Sequence, residues 1–420
     1  MKPAAAPVPT TPAGLAAWSA VAGRLTGSTM GDVLRWGAGD AINFAGGFPD
    51  ERLFPVEEVR TATDTVLTRH GNKVLQYGSA AGEPWVREAV TEHLVRRGVA
   101  TDAGSILLTS GGQQAIDLVT RLYVDPGDVV VTTSPTYFAA LELFETAGAR
   151  VSTVRLDERG IDPEELDRAL RQPRAKLLYL VTDHQNPMGV NIPPEQRPLI
   201  AEMLRRHACH LIEDDVFADI RFVRPATPIQ PFAPERVSYV TSFSKALSPG
   251  MRAGVLSAPK DVLHKAASLR ENVDVCPNTL TQSVVGELLG SGVFHRLLPR
   301  LCAAYLERRD AMLGALTRHL EGRAHWTEAS GGFFTWVTLA AATDPERLLQ
   351  SAVREGVVFL SGSRFRRGGG EEAPELRLSF ARLEPREIEE GIGRLGQCVK
   401  SHMENDDGAR VAVAPVRGRK

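Results

Sequence analysis

The sequence has few cysteines and no long apolar run, and each shortage excludes a class of protein. Its four cysteines are scattered and lack the paired spacing of zinc sites, which predicts reduced thiols and no metal. No apolar stretch reaches the roughly 18 residues that a membrane span needs. The Ala- and Pro-rich start lacks the basic and apolar regions of a signal peptide. We therefore expect a cytoplasmic protein without a membrane partner.

An excess of charge of either sign is also missing. A formal net charge of −2 gives no sign of a nucleic-acid or membrane partner. The hydrophobic fraction of 43% and the charged fraction of 24% are ordinary for a globular protein. The 420 residues are enough for two domains, or for one large α/β unit with a smaller partner.

The central part of the chain alternates apolar strands with helical patterns. The predicted strands are 105–109, 128–133, 150–156, 176–182, 209–214, 237–242 and 253–258. The predicted helices between them are 113–123, 137–147, 163–171 and 194–207. This alternation predicts βαβ units and a mainly parallel sheet sandwiched by helices. Ligands in such α/β sheets bind at the carboxyl ends of the strands.

The pattern changes after about residue 260, where helices come first and short strands are mixed with helices afterwards. This predicts a smaller α+β C-terminal domain. We expect four parts: an N-terminal arm, a large domain, a small domain and a disordered tail, with the bounds 1–45, 46–290, 291–400 and 401–420.

Lys245 lies in a loop of small and hydroxyl residues at the end of the strand 237–242, with Arg252 seven residues further on. Lysine is scarce here, with eight residues among 49 basic ones. Desolvation and a neighbouring cation lower the pKa of a lysine at such a position and make its amine nucleophilic. A loop lysine that points to water is the alternative.

Two other strand ends carry candidate ligand groups. Gly111 and Gly112 follow the strand 105–109 and open a helix, where free N–H groups favour a phosphate. A tight strand-to-helix turn is the alternative. Asn186 precedes a proline, so its backbone is extended and its amide can point into a pocket. The alternative is a plain Asn-Pro turn.

Three consecutive acids, Glu213, Asp214 and Asp215, end an otherwise apolar strand. Buried carboxylates are costly unless they meet a cation, so we expect one or two of the three to be solvated at the strand mouth. A crevice with a phosphate cradle, an amide, a carboxylate and a reactive lysine fits pyridoxal 5′-phosphate. A dinucleotide-binding unit fits worse, because no G-x-G-x-x-G follows a strand with an acid about twenty residues on.

These residues, taken in order, resemble one family of enzymes. The matching segments are Asn43–Gly47, Ser110–Gln114, Ser134–Tyr137, Gln185–Gly189, Glu213–Asp215, Ser242–Lys245 and Pro249–Arg252. Together they resemble the fold-type I, class I/II pyridoxal-phosphate aminotransferases, most of all the 2-aminoadipate/kynurenine aminotransferase branch. The resemblance runs from about Arg24 to Arg377, nearly the whole chain.

The resemblance implies a role in cofactor binding for eleven residues. Lys245 would form the aldimine with the cofactor and then move the proton between the substrate Cα and the cofactor aldehyde carbon. Asp214 would pair with the pyridinium nitrogen, Asn186 would donate to the ring 3-oxygen, and Tyr137 would stack on the ring. The implied phosphate ligands are Gly111, Gly112, Gln113, Ser242, Arg252 and, from a second subunit, Tyr77. The eleventh residue is Phe217, beside the ring.

The resemblance also implies how substrates bind and how subunits assemble. Arg377 would bind the α-carboxylate of an amino acid or 2-oxo acid through two parallel hydrogen bonds, with Asn186 beside it. Arg24 and the pair Gly46 and Gly47 would contact substrate from a mobile arm. Because Tyr77 would serve the other subunit's cofactor, we expect a homodimer with sites at its interface.

Four residues depart from the family pattern, and all of them lie next to the cofactor. Phe217 stands where a tyrosine usually donates to the ring 3-oxygen, and the loss of a hydrogen bond to a charged group costs roughly 1.5–3 kcal/mol. Met188 replaces a threonine, and Gly112 replaces a hydroxyl residue of the phosphate cradle. His184 replaces an apolar or aromatic residue. We expect His184 to be a packed, neutral histidine, with an acid/base role as the alternative.

Transamination between an amino acid and a 2-oxo acid is the leading hypothesis. The departures at 217, 188, 112 and 184 leave open a second one, a pyridoxal-phosphate enzyme that performs β- or γ-elimination or replacement, or forms a carbon–carbon bond. A third hypothesis is the ligand-sensing domain of a transcription regulator. Such regulators carry a basic winged-helix segment before the core, and only about 40 residues precede the first matching segment, Asn43–Gly47, here.

Overall fold

A computed structural model describes residues 16–25, 27–36, 41–340, 344–367 and 374–411. The first fifteen residues of the predicted arm, with residues 26 and 37–40, and the last nine residues of the predicted disordered tail lie outside the described residues. Residues 401–411 continue the last helix, where the sequence predicted the start of that tail.

The strands run in chain order from the N-terminal segment to the C-terminal sheet. They are β1 (Ile42–Asn43), β2 (Ile106–Thr109), β3 (Val129–Ser134), β4 (Arg150–Asp157), β5 (Gly160–Ile161), β6 (Ala175–Val181), β7 (His210–Asp214), β8 (Val237–Ser242), β9 (Gly254–Ser257), β10 (Ala324–Trp326), β11 (Phe334–Leu339), β12 (Val357–Val358), β13 (Leu360–Ser361) and β14 (Glu375–Ser379). Each of the seven strands predicted between residues 105 and 258 is present, with its ends displaced by at most one residue.

The helices alternate with the strands of the large sheet and dominate the C-terminal part. They are α1 (Ala20–Arg24), α2 (Thr29–Trp36), α3 (Val56–His70), α4 (Pro84–Arg96), α5 (Gly112–Tyr123), α6 (Phe138–Ala147), α7 (Pro163–Leu170), α8 (Gln196–Arg206), α9 (Lys260–Asp274), α10 (Thr279–Gly290), α11 (Val293–Leu320), α12 (Pro345–Arg354) and α13 (Pro385–Val411).

Eight strands form the large sheet in the order β2-β9-β8-β7-β6-β3-β4-β5. The strands β8, β7, β6, β3 and β4 pair in parallel. Strand β9 lies antiparallel between β2 and β8, so β2 runs in the same direction as β8. Strand β5 pairs antiparallel with β4. The carboxyl ends of β2, β8, β7, β6, β3 and β4 therefore meet at one edge of the sheet, which is the edge the sequence predicted to bind ligand.

The alternation of side chains along each strand divides the core of the large sheet. Leu178 and Leu211 belong to one cluster, which packs against α7 and α8. Tyr179 and Ile212 point to the opposite face, where α5, α6 and α9 cover them. Side chains two residues apart on a strand share a face. The same alternation places Asp214 on the opposite face of β7 from Glu213 and Asp215.

A four-stranded antiparallel sheet, in the order β10-β11-β14-β13, forms the C-terminal unit with α11, α12 and α13. Strand β1 pairs in parallel with β12, so the segment after Asn43 starts from this unit before the chain enters the large one. The predicted boundary at 290/291 falls between α10 and α11. The fold is thus a large, mainly parallel sheet covered by helices, with a smaller α+β unit, as the sequence predicted.

The described residues also bear on membranes, metals and disulfides. No helix among them is both long and apolar enough to cross a membrane. They contain no cluster of three or more histidine, cysteine, aspartate or glutamate side chains arranged to hold a metal ion. The four cysteines are free.

Candidate active site

Lys245 follows the carboxyl end of β8 in a buried loop. Its Nζ donates a hydrogen bond to the Gly47 carbonyl oxygen at 2.9 Å. The nitrogen also lies 5.4 Å from the ring centroid of Phe217 and 6.0 Å from that of Phe333. Burial, reinforced by the positive charges of Arg377 and Arg252, lowers its pKa to about 8, while Asp214 opposes the shift. Lys245 does not point to water, so the alternative of a solvated loop lysine is wrong.

The three acids at the end of β7 are all buried, so the expectation that one or two are solvated is wrong. Their relative exposures are 0%, 3% and 2% for Glu213, Asp214 and Asp215. Glu213 accepts from the backbone N–H groups of Ile229 and Gln230, at 2.7 and 2.8 Å. Protein donors have replaced water around both oxygens of Glu213, as burial requires, whereas Asp214 and Asp215 each keep one buried oxygen without a partner.

Asp215 lies on the same face of β7 as Glu213 and faces a cation. It accepts from Arg97 Nη2 at 2.6 Å and from the Tyr239 hydroxyl at 2.5 Å. The next acid in this network, Asp219, lies 3.3 Å from His93 and 3.9 Å from Arg97. These two carboxylates therefore belong to a buried structural network.

Asp214 points to the other face of β7, toward the carboxyl-end crevice. Its Oδ2 accepts from the Tyr179 hydroxyl at 2.7 Å, while Oδ1 is buried and has no hydrogen-bond partner. Burial raises its pKa to about 6, against the lowering effects of Tyr179, the Val216 N–H and Lys245. An orphaned carboxylate oxygen in a crevice is the acceptor that a cationic N–H group of a ligand needs.

Arg377 is a buried cation on β14 that has no carboxylate within salt-bridge distance among the described residues. Its Nη1 donates to Asn186 Oδ1 at 2.8 Å, and its Nη2 donates to the Ala45 carbonyl oxygen. Its Nε is buried without a partner. Burial lowers the pKa of this guanidinium to about 9. A buried arginine paired only with neutral oxygens is prepared for an anionic ligand.

The rings of Phe334 and Phe365 enclose Arg377. Its Cζ lies 4.1 Å from the Phe334 centroid and 4.9 Å from the Phe365 centroid. Trp336 pairs directly with Arg377 across β11 and β14 and packs edge-on against Phe365. These rings hold the guanidinium plane in place and exclude water from it.

The glycine turn after β2 forms a close cradle with Arg252. Gly111 has φ +89°, and a Cβ there would lie 2.5 Å from Arg252 Nη2. The turn gives α5 a start without a side-chain cap, so its first N–H groups remain available. Among the described residues, Arg252 donates only to the carbonyl oxygens of Ser110 and Pro249, at 2.9 and 3.3 Å. A cation beside free helix N–H groups suits a phosphate.

The other predicted cofactor ligands surround the same crevice. At Gly112 a Cβ would lie 3.1 Å from Val216 and 3.8 Å from Ser242, so a larger side chain there is tightly confined. The Ser242 hydroxyl donates to the Ala253 carbonyl oxygen at 3.1 Å. The side-chain amide of Gln113 bonds to the Ala139 carbonyl oxygen, which leaves its backbone N–H in the first turn of α5. Burial raises the pKa of Tyr137, which lies at the N-cap of α6.

Phe217 and His184 occupy the positions where the sequence departs from the family pattern. Phe217 is buried and makes edge-to-face contacts with Phe333 and Phe334. Burial lowers the pKa of His184 to about 4, which favours the neutral imidazole near neutral pH. Gly331 covers the His184 ring so closely that a Cβ there would lie 2.4 Å from it.

The glycine pair before Phe48 also borders the crevice. A Cβ on Gly46 would lie 2.7 Å from the Phe48 ring, and one on Gly47 would lie 2.6 Å from Phe334. The Asn43 side chain accepts from the N–H groups of Ala45 and Gly46 and so fixes this turn. Glycine is required here because the chain passes directly against aromatic rings.

The structure does not bring Arg24 and Tyr77 to this crevice. Arg24 Nε donates to the Thr146 carbonyl oxygen at 2.9 Å, near the C-terminal end of α6, whereas Tyr137 lies at its N-terminal end. Tyr77 is 79% exposed, on the segment before α4. Within one chain, neither residue contacts Lys245.

Sequence reasoning missed Tyr179 and the rings of Phe333, Phe334 and Phe365. Tyr179 had a signal: a tyrosine inside a fully buried strand needs a partner for its hydroxyl. Its strand β6 is paired with β7, where Val181 lies opposite Asp214. The three phenylalanines come from the C-terminal unit, and only the tertiary structure places them beside a lysine of the large unit.

These groups fit pyridoxal 5′-phosphate when they are tested one by one. The orphaned Oδ1 of Asp214 suits a pyridinium N–H, and the half-buried amine of Lys245 suits an aldehyde. The cradle of Gly111 and Arg252 suits the phosphate. Within the described part of the chain these groups lack a charged partner or a covalent one. The ring nitrogen, the aldehyde and the phosphate of pyridoxal phosphate would each supply a partner to one of them.

Comparison with known proteins agrees with this geometry. The family model described as "Aminotransferase class I and II" matches residues 39–395. The chain is 35% identical over 386 residues to the 2-aminoadipate transaminase of Thermus thermophilus, which covers 90% of this chain and 95% of that protein. It is 33% identical over 372 residues to "Aromatic-amino-acid aminotransferase 1" of Thermococcus litoralis, with 87% and 89% covered.

Solved structures give the same result. The crystal structure of Pyrococcus horikoshii kynurenine aminotransferase, in complex with PMP, has a TM-score of 0.87 and 31% identity, and covers 91% of this chain and 97% of that one. The chain therefore belongs to the class I and II aminotransferases. It is a pyridoxal-phosphate-dependent aminotransferase of fold type I, so the resemblance predicted from its motifs is confirmed.

Proposed function

We propose that this chain transfers the amino group of an amino acid to a 2-oxo acid in a site built from Lys245, Asp214 and Arg377, and that it does so as a homodimer. The observation that carries the site assignment is one crevice with three incomplete groups. These are an amine with a lowered pKa, a carboxylate with an orphaned oxygen, and a buried guanidinium without a carboxylate.

Lys245 is the base and the covalent anchor in this proposal. Pyridoxal phosphate, when bound, supplies an aldehyde that accepts the amino group and a ring that withdraws electrons from the substrate Cα. A pKa near 8 leaves part of the Lys245 amine neutral near neutral pH, so its Nζ can take the proton from Cα. The rings of Phe217 and Phe333 keep water from this nitrogen.

The remaining residues bind and orient. Arg377 fixes the α-carboxylate with two parallel N–H groups, and Asn186 moves its amide from Arg377 to the cofactor oxygen or the substrate. Arg252 and the first N–H groups of α5 would hold the phosphate of the bound cofactor, together with Ser242 and Gln113. The Asp214 carboxylate would favour a protonated ring nitrogen, and Tyr137 would pack against the ring.

The names of similar proteins guide our proposal for the substrates of this chain. Those relatives are named for 2-aminoadipate, kynurenine and aromatic amino acids. Arg24 is the candidate for contacting the far end of a long substrate. In the described arrangement Arg24 is held by Thr146, so that contact requires the arm to move. We propose that these three kinds of amino acid include the preferred donor.

The homodimer rests on exposed apolar residues beside the phosphate cradle. Tyr77, Leu75 and Val275 are 79%, 67% and 52% exposed. Thr279 donates to the Val74 carbonyl oxygen and joins these segments. The side-chain amide of Gln114 bonds to Asp274 and links this surface to the cradle. A second copy of the chain would cover this apolar surface and supply its Tyr77 to the neighbouring active site. The dimer would act in the cytoplasm.

The first experiment adds single amino acids to the purified, cofactor-loaded protein without any acceptor. Transamination predicts release of about one 2-oxo acid per subunit and then a stop, because the amino group stays on the protein. Lys245→Ala should release none. Continuous release of ammonia or of another leaving group would instead favour the elimination or replacement chemistry that Phe217 and Met188 left open.

The second experiment mixes Lys245→Ala and Tyr77→Ala, each of which we expect to be inactive alone because each removes a residue of the proposed site. In a mixed dimer one site combines the intact Lys245 of one subunit with the intact Tyr77 of the other. Random mixing should restore about a quarter of the wild-type activity. If the mixture remains inactive after subunit exchange has been verified, Tyr77 does not serve the partner's site. The proposed transamination can hold even so, because it is measured separately.

A further inference from the structure

Tyr179 and Asp214 form a buried pair at the centre of the large sheet. Tyr179 is 0% exposed, and its hydroxyl lies 2.7 Å from Asp214 Oδ2. The two residues come from neighbouring parallel strands and lie on the same face, so the contact is diagonal across β6 and β7. Phe144 packs edge-on against the Tyr179 ring, with centroids 5.4 Å apart. Phe144 therefore helps to fix the Tyr179 ring.

The two oxygens of Asp214 have different surroundings. Oδ2 is occupied by the Tyr179 hydroxyl, whereas Oδ1 is buried without a partner. Rotation of the Asp214 carboxylate would break the charge-assisted hydrogen bond between Oδ2 and Tyr179. Such a bond is about twice as strong as a neutral one. The contact thus selects which oxygen faces a ligand.

We infer that Tyr179 is a positioning residue for the cofactor: its hydroxyl keeps the Asp214 carboxylate ionised and holds Oδ1 free for the pyridine nitrogen. This inference rests on the proposed role of Asp214 and adds to it. Without the phenol, both oxygens of Asp214 would be buried with less support, and the proton would settle on the carboxyl group and leave the ring neutral.

The charges around Asp214 support a special role for this hydroxyl. Asp215, the next residue, favours the neutral carboxyl group, and so does burial. The ionised form is favoured by Tyr179, by the Val216 N–H and by Lys245. Tyr137 also faces the carboxylate from α6, and its interaction with Asp214 raises its own pKa. Lys245 acts on Asp214 only through its charge, whereas Tyr179 donates a hydrogen bond to it.

The chain contains a matched control for this hydroxyl. Tyr239 on β8 is equally buried, and its hydroxyl donates to Asp215 Oδ2 at 2.5 Å. Asp215 points to the opposite face of β7 and is paired with Arg97. Tyr179→Phe and Tyr239→Phe thus remove the same atom from the same core, each from a hydrogen bond to an aspartate. Only Tyr179 touches the aspartate that faces the crevice.

The experiment measures two dissociation constants by fluorescence titration of the cofactor-free protein. One ligand is pyridoxal phosphate, and the other is its analogue with C–H in place of the pyridine nitrogen. We expect the wild type to prefer pyridoxal phosphate, and Tyr179→Phe to reduce the preference at least about 10-fold, the effect of one hydrogen bond to a charged group. Tyr239→Phe should leave the preference unchanged.

The possible outcomes test the role of Tyr179 and the role of Asp214 separately. A folded Tyr179→Phe variant with the wild-type preference would overturn the role of Tyr179 and leave that of Asp214 intact. A wild-type protein that binds both ligands equally would instead overturn the proposed role of Asp214. If Tyr179→Phe does not fold, 3-fluorotyrosine is introduced at position 179. Its ¹⁹F resonance should then move on binding pyridoxal phosphate and not on binding the analogue, and equal shifts would overturn the inference.

Discussion

The Gly47 carbonyl oxygen accepts a hydrogen bond from Lys245 Nζ at 2.9 Å. Two residues earlier, the Ala45 carbonyl oxygen accepts from Arg377. One short segment therefore contacts both the lysine of the large unit and the arginine of the C-terminal unit. The Asn43 side chain accepts from the N–H groups of Ala45 and Gly46 and fixes the turn that presents both carbonyl oxygens. Substrate and cofactor must replace these carbonyl oxygens to reach the same nitrogens.

Replacement of Arg377 should separate binding from stability. Arg377→Lys should raise KM for the amino acid by at least about 100-fold, because an ammonium cannot form the two parallel bonds. Arg377→Met should leave the unfolding free energy of the cofactor-free protein unchanged or raise it, because the guanidinium is buried without a carboxylate partner. Steady-state kinetics and urea denaturation measure the two effects.

Arg97 is the control for that stability effect, because it is also a buried arginine but lies 2.6 Å from Asp215. Arg97→Met should destabilise the protein by about 3–5 kcal/mol, since it leaves buried carboxylates unpaired. Equal losses of stability in the two methionine variants would contradict the claim that Arg377 has no anionic partner until a ligand binds.

Gly111→Ala should weaken cofactor binding, because its Cβ would lie 2.5 Å from Arg252 Nη2 and displace the guanidinium. Gly127→Ala is the control: Gly127 has φ +88°, close to the +89° of Gly111, but nothing lies within 4 Å of its Cβ position. Both alanines impose similar backbone strain, on the order of 1 kcal/mol. Titration with pyridoxal phosphate should show weaker binding for Gly111→Ala alone, and equal affinities would contradict the cradle.

The stability of the cofactor-free protein should fall as the pH rises from about 4 to about 6 because of Asp214. Burial raises the pKa of this carboxyl group from 3.8 to about 6, so the folded chain binds more protons than the unfolded chain in this window. Stability is then lost as the pH rises through the folded-state pKa. About two pKa units correspond to roughly 3 kcal/mol at most.

Urea denaturation of the wild type and of Asp214→Asn across this range measures that contribution. The difference in unfolding free energy between the two proteins should change by up to roughly 3 kcal/mol between pH 4 and pH 7. Glu213, whose pKa burial raises to about 7, contributes to both proteins and cancels in the difference. A difference that does not depend on pH would mean that Asp214 titrates normally.

The order of the large sheet's elements could be predicted because each strand and helix carries its own pattern. Leu177 to Val181 and Val237 to Thr241 are apolar runs whose length and branching suit buried strands. The residues at the strand ends, among them Gly111, Asp214 and Lys245, were predictable for the same reason, because the topology brings strand ends together.

What could not be predicted depends on contacts between distant segments. The expectation of solvated acids was wrong because the donors to Glu213 and Asp215 come from Ile229, Gln230 and Arg97, which no local pattern connects to β7. The aromatic rings around Arg377 come likewise from packing of the C-terminal unit. Arg24 bonds instead to Thr146, which lies near the C-terminal end of α6, whereas Tyr137 of the crevice lies at the other end of that helix.

The most direct test of the account is to locate the cofactor on the chain. The loaded protein is reduced with borohydride, digested, and its peptides are sequenced by mass spectrometry. The account predicts the phosphopyridoxyl group on Lys245 and on none of the other seven lysines among the eight of the sequence. A modification on another lysine, or an intact wild-type protein that binds the cofactor without any covalent adduct, would contradict it.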